Sequence, residues 1–111
     1  MSTMPPREIT ATEFVELKAV GELLLLDCRE PEEHAIARIE GGRLIPMRQI
    51  PERLAELEAW RHKPLIVHCH HGVRSLRVVE FLRGKGFSQA QSLAGGIEAW
   101  SLEIDPAVPR Y

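Results

Sequence analysis

The residue most equipped for chemistry in this chain is Cys69. It opens the stretch Cys69-His70-His71-Gly72-Val73-Arg74-Ser75, which follows the apolar run Leu65-Ile66-Val67. A strand, a cysteine, a glycine-containing loop and then a helix make an arrangement with a physical purpose. Backbone N–H groups of such a loop can converge on one point, and the helix N-terminus adds partial positive charge. An anion at that point is stabilised, and Cys69 supplies one as thiolate or persulfide. Gly72 gives the loop freedom to curl, and Arg74 adds a full charge and a fork of donors. A free thiol of pKa about 8.5 is roughly 3% thiolate at pH 7. A drop of about two units makes it roughly 75% thiolate, and this outweighs the loss of intrinsic nucleophilicity.

Cys69 is therefore read as the catalytic nucleophile. His70, His71, Gly72, Val73, Arg74 and Ser75 are read as the substrate-binding loop. Asp27 and Arg29 follow another apolar run, where parallel sheets place their sites, and are read as braces of the loop. The cluster His68-Cys69-His70-His71 is not read as a metal centre. Neighbours on a strand point to opposite faces, and no second ligand pair is evident. No metal and no cofactor is expected.

These residues need a scaffold, and the chain alternates short apolar runs with amphipathic stretches in the manner of an α/β domain with a mostly parallel sheet. Thr10 and Glu13 have capping-box spacing, so a helix is expected from Ala11 to before Gly21. Leu23 to Leu26, Arg43 to Pro46, Leu65 to Val67 and Ala90 to Ala94 read as strands. Helices are expected over Pro31 to Ala37, Pro51 to Trp60 and Ser75 to Arg83, with a last helical turn at Ile97 to Trp100. The expected division is one domain over residues 8–102, with irregular arms at 1–7 and 103–111.

The chain has 111 residues, 44% of them hydrophobic and 27% charged, with a net charge of −2. That balance suits a soluble globular domain and argues against nucleic-acid or anionic-membrane partners. Two cysteines do not make a disulfide framework, and Met1 to Ile9 has no apolar core of a signal peptide. The longest apolar run, Leu23 to Leu26, cannot span a bilayer. A cytoplasmic location is expected.

The loop Cys69-His70-His71-Gly72-Val73-Arg74-Ser75 resembles the active-site loop of the rhodanese superfamily. Leu26-Asp27-Cys28-Arg29-Glu30-Pro31 resembles the family's Asp-Val-Arg-Glu segment, Leu44-Ile45-Pro46 its third strand, and Leu93-Ala94-Gly95-Gly96-Ile97-Glu98-Ala99-Trp100 its Leu-x-Gly-Gly-x-x-x-Trp close. The resemblance runs over residues 8 to 100. It implies a three-layer α/β/α fold, a five-stranded mostly parallel sheet with helices on both faces. It also implies transfer of a sulfane sulfur from a donor such as thiosulfate to cyanide, a thiol or a partner protein, through a persulfide on Cys69. The chain departs from the family at Ala37-Arg38-Ile39-Glu40-Gly41-Gly42, where Gly-His-Ile is frequent, and at Cys28, where valine is usual. Cys28 is read as a small apolar stand-in for that valine, with a resolving thiol as the alternative.

Two rival functions are distinguishable. One is a sulfur carrier or binding module without turnover of its own. The other is a cysteine phosphatase of the same fold, which needs a wider loop for a tetrahedral phosphate. Here only His70, His71, Gly72 and Val73 separate Cys69 from Arg74, and Ser75 stands where a phosphatase has its arginine. The chain should hydrolyse p-nitrophenyl phosphate far more slowly than it transfers sulfur. Parallel assays of both reactions check this, and faster phosphate turnover would defeat the loop-length argument.

Overall fold

The computed structural model describes residues 4–111. The first three residues of the N-terminal arm lie outside the described residues. Five strands form one sheet: β1 (Glu8–Ile9), β2 (Leu24–Asp27), β3 (Arg43–Leu44), β4 (Leu65–His68) and β5 (Ala90–Leu93). Their order is β1-β5-β4-β2-β3, and every pairing is parallel. Four α-helices accompany them: α1 (Ala11–Val20), α2 (Pro31–Ile36), α3 (Val73–Gly84) and α4 (Gly96–Glu103).

β2, β4 and β5 are buried along their whole length, so their side chains feed two cores. Leu24, Leu26, Leu65 and Val67 pack on one face with Val78, Val79 and Leu82 of α3. Leu25, Ile66 and Leu93 pack on the other with Phe14 of α1 and Ile97 and Trp100 of α4. This is the layered α/β architecture that continuous apolar strands require. α1 begins where the sequence places it. Thr10 accepts from the Glu13 amide at 3.1 Å, and Glu13 accepts from the Thr10 amide at 2.9 Å.

Three elements differ from their sequence reading. β1 carries no sequence signal, because two residues, one exposed and one buried, show no period. Pro51–Trp60 forms a run of 3₁₀ turns, not an α-helix. Arg53 leaves helical geometry at φ −115° and ψ 19°, and Leu57 is the only buried side chain in the run, so packing supplies little to hold an α-helix there. α3 begins at Val73, two residues early, which brings its first turn into the Cys69 loop.

Chain order reverses between β2 and β4: β2 leads outward to β3, and β4 leads the other way to β5. The carboxyl ends of these central strands form the crevice where open α/β sheets place their sites. Asp27 pairs with His68 there, and the Cys28 amide donates to the His68 carbonyl at 3.1 Å.

His68 is fully buried, and neither ring nitrogen has a hydrogen-bond partner. Its Nε2 lies 3.9 Å from Asp27 Oδ2. Burial keeps the ring neutral and draws its pKa down to about 4, against the pull of Asp27. The unfolded chain protonates this histidine near pH 6.5, so the unfolded state takes up the proton first on acidification. Stability from this residue is present above about pH 6.5 and is lost as the pH falls toward 4, by up to about 3 kcal/mol. The His68 ring resonances should titrate near pH 4 in the folded chain. An NMR midpoint near 6.5 would contradict the burial argument.

Candidate active site

Cys69 follows β4 directly and is 1% exposed. Its Sγ accepts from the Gly72 amide at 3.1 Å and from the Ser75 amide at 3.4 Å, and it lies 3.3 Å from Ser75 Oγ. Ser75 Oγ is 2.7 Å from Ser92 Oγ on β5. With Cys69 as thiolate, Ser75 donates to sulfur and Ser92 donates to Ser75. Gly72 makes the turn at φ +107°, a conformation that strains any side chain.

The loop amides face inward because its carbonyls are bound elsewhere. The Ile97 amide donates to the Cys69 carbonyl at 2.9 Å, and the Glu98 amide to the His70 carbonyl at 3.1 Å. The first turn of α4 thus satisfies the loop from behind. Gly96 permits the approach, since a Cβ there would come within 2.5 Å of the Cys69 carbonyl oxygen.

Cys28 sits beside Cys69 on the neighbouring strand end and is equally buried, and both thiols are free. Cys69 titrates far below an ordinary thiol, at about 4. The neighbouring Cys28 thiol contributes most, followed by the Ser75 hydroxyl and the Ser75 and Gly72 amides, which together overcome burial. Cys28 is pushed the other way by Cys69 and by burial, so it stays a thiol.

Asp27 and Arg29 form a buried, doubly bonded pair at 2.9 and 2.7 Å, and His34 Nδ1 lies 2.9 Å from Asp27 Oδ2. Burial alone would raise the Asp27 carboxyl, but Arg29, His68 and His34 hold it at about 2. Arg29 also donates to the Ala37 carbonyl at 2.6 Å. The pair braces the β2 end and the flank after α2, and it does not touch Cys69.

Arg74 points to α2. Its two terminal nitrogens meet the Glu33 carboxylate at 2.6 and 2.9 Å, which holds Glu33 at about 2. His70 and His71 stack at 3.8 Å between ring centroids, and His70 is stacked in turn on Tyr111 at 3.9 Å. Val73 is exposed at the loop's outer edge. The sequence reading missed Glu33, Ser92 and Tyr111. Glu33 carries a signal for the start of α2, where it accepts from the Glu30 amide, and none for the site. Ser92 and Tyr111 had none, because only the folded chain brings them to the loop.

The electrostatics set the reactivity expected of the two thiols. Iodoacetamide should label Cys69 at a rate that stays flat from about pH 8 to 5 and falls near pH 4, while Cys28 labels slowly throughout. Peptide mapping after timed labelling reads both rates. A Cys69 midpoint near the ordinary thiol value would show that the loop does not stabilise the anion.

Known proteins show the same arrangement of elements. The family model for the rhodanese-like domain matches residues 10–103. A thiosulfate sulfurtransferase GlpE of Ectopseudomonas mendocina is 34% identical over 96 residues, covering 85% of this chain and 84% of the relative. An adenylyltransferase and sulfurtransferase MOCS3-1 of Zea mays is 38% identical over 93% of this chain, and this chain spans only 23% of that longer protein. A rhodanese-related protein of Thermoplasma volcanium superposes with a TM-score of 0.80 at 34% identity, covering 96% of this chain and 100% of that one. The human single-domain sulfurtransferase TSTD1 does so with a TM-score of 0.80 at 25% identity, covering 89% and 98%. By family model, sequence and structure, the chain belongs to the rhodanese-like domain family.

Proposed function

We propose that this chain is a sulfurtransferase that carries a sulfane sulfur as a persulfide on Cys69. The carrying observation is the Cys69 Sγ at the focus of the Gly72 and Ser75 amides and the Ser75 hydroxyl. In the uptake step the Cys69 thiolate attacks the sulfane sulfur of a donor. With thiosulfate, the new S–S bond forms as the old one breaks, and sulfite leaves with the electron pair. The persulfide keeps one negative charge, now on the outer sulfur. In the delivery step cyanide or a thiolate attacks that outer sulfur, and Cys69 returns as thiolate. No external oxidant or reductant enters either step.

The loop serves both halves. A stable thiolate is the attacking group in uptake and the leaving group in delivery, and a low pKa favours departure. His70, His71, Gly72, Val73, Arg74 and Ser75 line the route to the sulfur. Arg74 is spoken for by Glu33, so its main contribution is to anchor the loop, and its charge reaches the sulfur through space. Substrates and partners are a small sulfur donor and acceptor, or a protein that accepts the sulfur.

A carrier role is the second reading. It is favoured by relatives in which a domain of this kind occupies about a quarter of a protein named both adenylyltransferase and sulfurtransferase. Among the described residues no helix is long and apolar enough to cross a membrane. The cytoplasm is the compartment we infer, because two free thiols suit a reducing environment.

Incubation with thiosulfate should add the mass of one sulfur atom to the intact chain, and cyanide should remove it. Cys69→Ser should remain folded and gain nothing. A folded Cys69→Ser chain that still turns over would overturn the assignment. A loaded wild type that yields sulfur only to a protein acceptor would favour the carrier reading.

A further inference from the structure

The chain beyond α4 folds back over the active-site loop. Val108 is buried in the core that α1 and α4 share, and its carbonyl accepts from Ser101 Oγ at 2.6 Å. Arg110 pairs with Glu98 at 2.7 Å. These contacts bring Tyr111 to the mouth of the site, where it makes two kinds of contact. Its ring lies on His70, with centroids 3.9 Å apart and planes within 10°. Its hydroxyl accepts from Arg29 Nη1 at 2.8 Å and donates to Glu33 Oε2 at 2.8 Å.

Each contact ends on a residue that holds the loop. His70 is the first residue after Cys69, and its carbonyl is bound by α4. Glu33 holds Arg74, and Arg29 holds Asp27. A continuous polar chain therefore runs Asp27–Arg29–Tyr111–Glu33–Arg74 around the loop, in which Tyr111 joins the Arg29 guanidinium to the Glu33 carboxylate; Arg29 also donates to the Glu33 carbonyl at 3.4 Å. Tyr111 is 37% exposed, too open for a core-filling role. None of its contacts involves Cys69 directly.

We propose that Tyr111 is a positioning residue of this site, its ring clamping His70 and its hydroxyl tying Glu33 to Arg29, so that the loop amides stay aimed at Cys69. The inference deepens the persulfide reading and rests on it for its meaning. Its mechanism is mechanical. The Gly72 and Ser75 amides stabilise the sulfur anion only while the loop keeps its curl, since a hydrogen bond weakens steeply as it lengthens and bends. The His70 ring, held from outside by Tyr111, resists unrolling of the loop at the residue where unrolling would start. The hydroxyl does the same at the Arg74 end, through Glu33.

The test compares Tyr111→Ala with Tyr111→Phe, in full-length protein at a temperature where circular dichroism shows both folded. The readout is the pH midpoint of Cys69 alkylation, which a purely structural anchor would leave in place. In Tyr111→Ala the midpoint should rise by about one unit or more, which is a tenfold loss of thiolate stabilisation. Tyr111→Phe keeps the stacked ring and loses the hydroxyl's two bonds, so its midpoint should rise by less than in Tyr111→Ala. Sulfur transfer at neutral pH should change less than the midpoint, because a thiol that titrates at about 5 is still almost wholly thiolate there, so the alkylation midpoint is the deciding readout. Should the alanine chain not fold, Tyr111→Leu keeps apolar bulk without a stacking ring and carries the same test. An unchanged midpoint in a folded Ala or Leu variant would overturn the proposal. Equal shifts in the Ala and Phe variants would overturn the role of the ring. Alkylation does not depend on sulfur transfer, so a wild type that takes no sulfur from thiosulfate would defeat the proposed function and leave this result standing.

Discussion

The constraint on which this structure depends is the burial of a negative sulfur. Cys69 lies at the centre of the sheet's carboxyl edge with almost no contact with solvent. An isolated anion there would cost several kcal/mol, and the thiol would simply keep its proton. Donors aimed at one atom offset that cost: the two loop amides and the Ser75 hydroxyl, with the neighbouring Cys28 thiol also favouring the anion. The backbone can supply amides in this direction only if its carbonyls find partners in the other. That requirement fixes the position of α4, whose first amides take the Cys69 and His70 carbonyls. Two helix N-termini thus meet at the loop, α3 continuing from it and α4 standing behind it.

The brace around the loop follows from the same constraint. A loop that must hold a sharp curl needs fixed ends. Arg29 is fully buried, and a buried guanidinium persists only when its donors are matched. Here Asp27, the Ala37 carbonyl and the Tyr111 hydroxyl supply the match. Removing Asp27 alone would strand that charge, so the pair acts as a unit. Cys28 contributes differently. Read as an apolar stand-in for valine, it does pack with the core, but its thiol also lies beside Cys69 and lowers the Cys69 pKa, which an apolar side chain would not do.

The sheet and the loop around Cys69 were legible because their signals are local. Leu65-Ile66-Val67 followed by a cysteine and a glycine loop constrains strand, turn and helix at once. Arg53 shows where local signals fail. The apolar spacing of Ile50, Leu54 and Leu57 is helical, yet the backbone there is broken at Arg53 and winds in 3₁₀ turns. β1 was invisible because it exists only through its pairing with β5. Glu33, Ser92 and Tyr111 reach the site across 41, 17 and 82 positions from the residues they bond there. No spacing rule connects residues so far apart. Pro31 at an early helical position placed the start of α2 and still said nothing of the Arg74 that Glu33 would meet.

The distribution of formal charge around the loop narrows what kind of electrostatics the site uses. Glu33 is matched by Arg74 at 2.6 Å, Glu98 by Arg110 at 2.7 Å, and Glu30 faces Arg48 at 3.8 Å. Carboxylates and guanidinium groups on this rim therefore largely cancel. The more exposed pairs, Arg110 with Glu98 and Arg48 with Glu30, are worth little and weaken further with salt, whereas Arg74 with Glu33 is half-buried. The stabilisation of Cys69 instead comes from hydrogen bonds at 3.1 to 3.4 Å, deep in the fold, which dissolved ions do not reach. A thiolate held this way depends little on ionic strength. The reactivity expected of Cys69 is thereby set by buried hydrogen bonds, and the paired charges of the rim add little to it.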